Sequence, residues 1–205
     1  MHDIETWEIS GNTVEFLNDC HLYLVGGVIV PSITQILKSK FGKKYDGVSK
    51  ATLNHASELG TQMHQAIQDF EEKGTESDLK ELRNYKFLKS RYGWEHLESE
   101  VPVILFRADK PVACGRIDMV GEINGQIGLF DFKRTSALDK EYLAGQLNLY
   151  RIAYQQSYGQ QIDFLRGIHL REDTRKVVEI PINESRAWEL VDQYFGGNDG
   201  NIQSD

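Results

Sequence analysis

The sequence predicts an α/β domain, and three observations carry that reading. Apolar residues recur at helical spacing in five separate stretches, short runs of strand-like alternation lie between them, and Asn124-Gly125 interrupts two such runs as a hairpin turn. At 205 residues, 40% hydrophobic and 26% charged, the chain suits one domain with a substantial core. It is read as a single domain over residues 1–195, followed by a Gly-, Asn- and Asp-rich tail, 196–205, that is expected to fray.

In chain order, His21 to Val30 reads as two short strands about Gly26-Gly27, and Pro31-Ser32 then opens a short amphipathic helix through Ile33, Ile36 and Leu37. From about Ser49 to Glu72, Leu53, Ala56, Leu59, Met63, Ile67 and Phe70 form one apolar stripe, which predicts a long helix stopped at Gly74. A second helix, about Ser77 to Tyr92, is built on Leu79, Leu82, Tyr85 and Leu88, with a charged opposite face. Strands follow at Glu100–Arg107, Ala113–Ile123 and Gln126–Arg134, joined as a meander through Asp109-Lys-Pro and Asn124-Gly125. A helix from about Ala137 to Ser157 carries Leu143, Leu147, Tyr150 and Tyr154 on one stripe. Strands near Ile162–Leu170 and Lys176–Ile180 come next, and a helix over Asn183–Phe195 closes the domain.

Composition excludes several classes. No stretch is long and apolar enough to span a bilayer, so a soluble, cytoplasmic protein without membrane partners is expected. Cys20 and Cys114 are too few for a disulfide framework and form no CxxC pair, which fits a reducing compartment. A net charge of -8 argues against a general nucleic-acid coat protein, whose affinity rests on cations that displace counterions. An acidic chain can still hold a local groove in which bound cations offset its carboxylates.

The Asn-Gly turn fixes a register. A two-residue type I′ loop needs positive φ at both central positions, so Ile123 faces Gln126, and continuation of that pairing sets Asp118 directly opposite Asp131 and Arg116 opposite Lys133 on a charged face. Like charges directly opposed are unfavourable. Two readings offset the repulsion: an exposed salt-bridge ladder with Lys133 and Arg116, or a hard-cation site in which Mg²⁺ takes carboxylate, water and phosphate oxygens.

These residues resemble the PD-(D/E)XK nuclease superfamily, and within it the RecB-like exonuclease branch. Asp118 in Gly-Arg-Ile-Asp matches the first acidic position, and Asp131-Phe132-Lys133 matches the D/E-X-K element. Glu100 fits an additional acidic position, an exposed edge glutamate being the alternative. Gly60-Thr-Gln-Met-His64 resembles a helical Gly-to-His motif whose histidine binds metal, and Gly60, costly inside a helix, suggests close approach of another element. His55 points to a different face. Gln146-Leu-Asn-Leu-Tyr150 resembles the branch's Gln-xxx-Tyr motif, a boundary amide and a core aromatic being the alternative. The Gly-Gly-Val-Ile-Val-Pro-Ser-Ile-Thr-Gln-Ile-Leu segment is similar to the N-terminal part of small phage nucleases and of the mitochondrial genome maintenance exonuclease group.

The resemblance implies a restriction-endonuclease-like core with a central mixed sheet flanked by helices. It also implies a metal-dependent deoxyribonuclease acting in DNA recombination, repair or degradation. One or two Mg²⁺ or Mn²⁺ ions would be held by His64, Asp118, Asp131 and the Phe132 carbonyl, with Glu100 beside them and Lys133 positioning the nucleophile. Gln146 and Tyr150 would act at the same site, and Arg116, Arg134 and Lys140 would contact neighbouring phosphates, each having an ordinary surface role as its alternative. An iron-sulfur cluster is excluded by the cysteine count, and no phosphate-loop motif is present. The expected partner is DNA, single-stranded or frayed ends above all, together with DNA-processing proteins. The helix bearing His64 and the helix after it are expected to arch over the hairpin, so that ends thread and Lys86, Lys89 and Arg91 face the strand. Two other functions stand beside this one: a noncatalytic DNA-end binder or inhibitor, and a structure-specific endonuclease.

Overall fold

Two antiparallel hairpins open the chain. The structure, a computed structural model, describes residues 3–42, 47 and 49–196. Strands β1 (Ile4–Ile9) and β2 (Asn12–Leu17) are joined at Ser10-Gly11, both with positive φ (50° and 73°), the backbone a two-residue hairpin loop demands. Neither strand was expected from the sequence. A 3₁₀ turn at Asn18–Cys20 leads to β3 (Leu22–Val25) and β4 (Val28–Val30), which turn at Gly26-Gly27 as expected. The four strands form an antiparallel sheet in the order β1-β2-β3-β4.

Three helices follow: α1 (Ile33–Phe41), α2 (Lys50–Lys73) and α3 (Lys80–Tyr92). Ser32 starts α1 with a capping box, accepting from the Gln35 N–H while the Gln35 side chain accepts from the Ser32 N–H. Ser49 caps α2, and Gly74, at φ 67°, ends it. The second sheet then begins. It is built from β5 (Glu95–Arg107), β6 (Lys110–Ile123), β7 (Gln126–Lys133), β8 (Phe164–Leu170) and β9 (Arg175–Ile180), in the order β5-β6-β7-β8-β9. Only the β7–β8 pair is parallel, because α4 (Lys140–Tyr158) carries the chain across between them. Helix α5 (Glu184–Gly196) closes the described chain, so the expected tail lies almost wholly outside the described residues.

The fold is therefore mixed α/β, with a central mixed sheet flanked by helices. On one side, Ile33, Ile36 and Leu37 of α1, Leu143, Leu147 and Tyr150 of α4 and Leu190 and Val191 of α5 pack with Val101, Val103, Ile117 and Leu129. A second core joins Met63 and Ile67 of α2 and Leu82, Tyr85 and Leu88 of α3 to Trp94, Met119, Phe130 and Phe132. A third puts the four-stranded sheet, through Ile9, Val14, Phe16 and Tyr23, against Ile104 and Cys114. The exposed edge of β5 is not left bare. Ser157, Gln156 and Tyr158 at the end of α4 hydrogen-bond the backbone of Ile104, Phe106 and Pro102, which blunts an edge that would otherwise template pairing. Among the described residues no helix is long and apolar enough to cross a membrane.

Candidate active site

Where α2 and the four-stranded sheet stand apart, the central strands line a cleft of about 880 Å³. One wall is α2, through Ser57, Gly60, Thr61, His64 and Gln68, and the other carries Glu5, Trp7, His21 and Tyr23. Glu100, Arg116, Asp118, Phe132 and Lys133 form its floor, with Tyr150 reaching in from α4.

The turn that sets the floor is as the sequence predicts: Asn124 and Gly125 have φ of 52° and 80°, and Ile123 pairs with Gln126. The ladder runs in the expected register as far as Met119–Phe130 and stops one pair short of Asp118 and Asp131. There Asp118 Oδ2 accepts the Phe132 N–H at 2.7 Å, taking the place of a backbone acceptor. The two aspartates consequently occupy different surroundings. Asp118 lines the cleft, whereas Asp131 is 1% exposed and does not.

On its other flank β6 meets β5. Ser99 pairs with Met119 and Val101 with Ile117, so Glu100 stands across from Asp118. Glu100 has a φ of 52°, unusual for a non-glycine residue, and such backbone strain gathers at functional sites. His64, Glu100 and Asp118 each place one ligand atom within 4.8 Å of the others, a grouping able to hold a metal ion. His64 Nε2 lies 3.0 Å from the Phe132 carbonyl oxygen and its Nδ1 3.7 Å from Asp118 Oδ1. A carbonyl only accepts, so Nε2 donates, and in the neutral ring Nδ1 turns a lone pair toward a carboxylate. A cation between them would relieve that arrangement.

Beside this group, Lys133 Nζ donates to Asp131 Oδ1 at 2.7 Å. Oδ2 is 2.6 Å from the same ammonium as an ion pair but outside hydrogen-bond geometry, and it has no hydrogen-bond partner. Burial pushes the Asp131 carboxyl up to about 6, against the pull of Lys133 and with a further push from Asp118. Glu100 is also raised, by burial and then by the Asp118 charge, with Arg116 opposing. Carboxylates crowded in this way, with an imidazole beside them, form a group that could hold a cation.

Gln146 and Tyr150 are both buried on α4, one turn apart. Burial raises the Tyr150 phenol far above its ordinary range, and the Asp118 charge adds to this, which marks how near the ring stands to the acids. The close approach is made at Gly115 of β6, where a Cβ would sit 2.6 Å from the Tyr150 ring. Gly60 plays a different part from the one its position suggested: a Cβ there meets nothing within 4 Å, so its lack of a side chain widens the cleft rather than admitting a packed neighbour.

The cationic residues are placed less simply. Arg116 lines the cleft but is held by Glu100 at 2.7 Å and Glu5 at 3.1 Å. Arg134 also lines it, with its guanidinium on buried Glu81 of α3. Lys140, exposed at the start of α4, is not among the lining residues. Neither are Lys86, paired with Glu76, Lys89, paired with Glu71, or Arg91, because α3 packs beside α2 and against β8–β9 instead of arching over the hairpin. His55 is exposed and apart from the site. Among the described residues, Arg116, Lys133 and Arg134 line the cleft with Glu5, Glu100 and Asp118, while Asp131 and Glu81 pair with Lys133 and Arg134 from behind the lining, so three cations stand against five carboxylates.

No family model matches this chain, and no curated protein matches it. Among solved structures, the chain is similar to that described as the crystal structure of SSO0001, with 15% sequence identity, a TM-score of 0.47, and coverage of 86% of this chain and 77% of that one.

Proposed function

We propose that this chain is a divalent-metal-dependent deoxyribonuclease whose reaction takes place in the cleft between α2 and the four-stranded sheet. The observation that carries the reading is the meeting of His64, Glu100, Asp118 and the Phe132 carbonyl beside a buried Asp131–Lys133 pair. The donor set fits a hard cation. His64 through Nδ1, Asp118 and Glu100 would hold it, with the Phe132 carbonyl fixing the ring by accepting the Nε2–H and Asp131 behind them. When bound, the cation would polarise a phosphate oxygen and lower the pKa of water.

The chain's own residues supply the rest. Lys133 keeps an ammonium at the cleft floor, where it can orient an attacking water or meet developing charge on a phosphate oxygen. Asp131 fixes that ammonium in place. Glu100 and Glu5 hold the Arg116 guanidinium over the floor, so a phosphate entering there must compete with two carboxylates. This explains how an acidic cleft can favour a substrate only once a cation neutralises it.

Exonucleolytic attack at single-stranded or frayed ends, in DNA recombination, repair or degradation, is the first reading, and it rests on the RecB-like resemblance. Internal cleavage is the second, favoured by the absence of α3 from the cleft walls, since an arch over the strand was the reason for requiring an end. Incubating a closed single-stranded circle beside its linear form with Mg²⁺ separates the two. Loss of the linear form alone supports the exonuclease, equal loss supports the endonuclease, and loss of neither in Mg²⁺ or Mn²⁺ overturns the nuclease assignment.

A further inference from the structure

A second cavity, about 590 Å³, opens beside the cleft and shares Lys133, Thr135, His21 and Thr34 with it. Its far wall is apolar and aromatic. Phe41 of α1 and Tyr142 of α4 meet edge to face with centroids 5.8 Å apart, and Leu138 lies in the loop before α4. Such a volume, with a mostly apolar lining and a few convergent polar groups, is typical of small-molecule sites of about 300 to 1,000 Å³.

Two polar atoms here lack partners. Gln146 is 5% exposed, and its Oε1 has no hydrogen-bond partner. Thr135 Oγ1 is also buried and without one, although the Thr135 carbonyl accepts from His169. Native folds keep few such groups, and each calls for an explanation. Neither is needed to hold the chain, since Asp139 caps α4 and His169 anchors the loop.

We propose that this cavity receives the unstacked nucleobase of the nucleotide whose phosphate lies at Lys133. The inference rests on the nuclease reading and adds to it a base-binding subsite. One nucleotide can span the two spaces, because Lys133 and Thr135 border both. Phe41, Leu138 and Tyr142 give the cavity an aromatic and apolar wall against which any base can pack, and Gln146 Oε1, closed off from solvent as the side chain stands, can accept from a base edge once the amide turns toward the cavity. A duplex base is paired and stacked and cannot enter, so the subsite selects single-stranded or frayed DNA.

The probes hold no phosphodiester bond, so the test reads binding and not hydrolysis. Methyl-labelled protein with Mg²⁺ is titrated with deoxyadenosine and thymidine 5′-monophosphates, and in parallel with deoxyribose 5-phosphate and inorganic phosphate, while the Leu138 and Ala137 methyl resonances are followed. The two nucleotides are expected to shift these methyls saturably and the two base-free phosphates to leave them unmoved. Leu138→Trp, which fills the cavity, should abolish the response. Tyr142→Ala should weaken it by about 5- to 150-fold, the range for one lost base–aromatic stack. Equal shifts from inorganic phosphate, no shift from the nucleotides, or unchanged nucleotide affinity in Tyr142→Ala would overturn the proposal, and the last outcome decides even where Leu138→Trp does not fold. Nucleotide binding in a protein that never cleaves DNA would keep the subsite and sink the nuclease reading; cleavage without a Leu138 response would do the reverse.

Discussion

Replacing Gly115 with alanine places one methyl group at the point where β6 and α4 come closest. That carbon would lie 2.6 Å from Tyr150 Cε1, 3.3 Å from its hydroxyl and 3.4 Å from Ile33 Cδ1. Carbon atoms prefer about 3.5–4.0 Å, so roughly 1 Å must be recovered. The neighbours have little room to give, since Ile33 is fully buried and Tyr150 is 4% exposed on a helix packed along its whole length. Overpacking of this kind costs about 1–3 kcal/mol, and for a domain of this size each kcal/mol lowers Tm by about 2–4 °C. Gly60→Ala is the internal control. Its Cβ meets open space on α2, so removing a helix-interior glycine should stabilise by up to about 1 kcal/mol. Urea unfolding of both variants beside the wild type reads the difference as a shift in midpoint at unchanged slope. Gly115→Ala as stable as the wild type, or Gly60→Ala less stable, would show that the packing of α4 on β6 is misjudged.

Three further outcomes are expected. His64→Ala should lose at least about tenfold in Mn²⁺ affinity by calorimetry while His55→Ala binds as the wild type does, because only His64 faces Asp118 and the Phe132 carbonyl; equal losses would assign α2 a structural role only. Lys133→Ala should abolish cleavage and also destabilise the fold, toward the lower end of the 3–5 kcal/mol typical of a broken buried pair because Lys133 is 21% exposed; a full Tm with activity lost would mean that Asp131 is solvated. Finally, Glu100 titrates higher when folded than when unfolded, so in EDTA its burden on stability is fully present at high pH and is relieved as pH falls through its raised folded value toward the ordinary carboxylate range. Glu100→Gln should therefore melt above the wild type at pH 7.5 by a margin that closes near pH 4.5, and a margin independent of pH would contradict this.

What could be read in the sequence was local. Asn124-Gly125 fixed the β6–β7 turn and its register because a type I′ loop allows few residue types, and the α2 stripe from Met63 to Ile67 and Phe70 placed His64 on the helix without ambiguity. Ser10-Gly11 makes a loop of the same length, yet β1 and β2 went unread: only Ile9 is buried in β1, and Glu5, Glu8 and Glu15 mask the alternation of a strand pair covered on one face. Long-range geometry was out of reach. Extrapolating the hairpin by one pair sets Asp131 on a charged face directly opposite Asp118, whereas the ladder ends at Met119–Phe130 and Asp131 is buried. Arg116 and Arg134 are expected from the sequence either at phosphates or as ordinary surface charges, but Glu5, Glu100 and Glu81, distant in sequence, already hold them. Tyr23 and Ser32 line the cleft without a sequence signal that separates them from ordinary strand and capping residues.

The most direct test of a metal-dependent site at these residues is release of labelled nucleotides from linear single-stranded DNA by the wild type and by Asp118→Asn, each with Mg²⁺, with Mn²⁺ and with EDTA. Asp118 is chosen because it lies in the cleft, faces His64 and is not part of the buried ion pair. The expected result is cleavage by the wild type with either metal, none in EDTA, and loss of cleavage in a folded Asp118→Asn variant. Undiminished cleavage in EDTA, or Asp118→Asn as active as the wild type, would contradict the account.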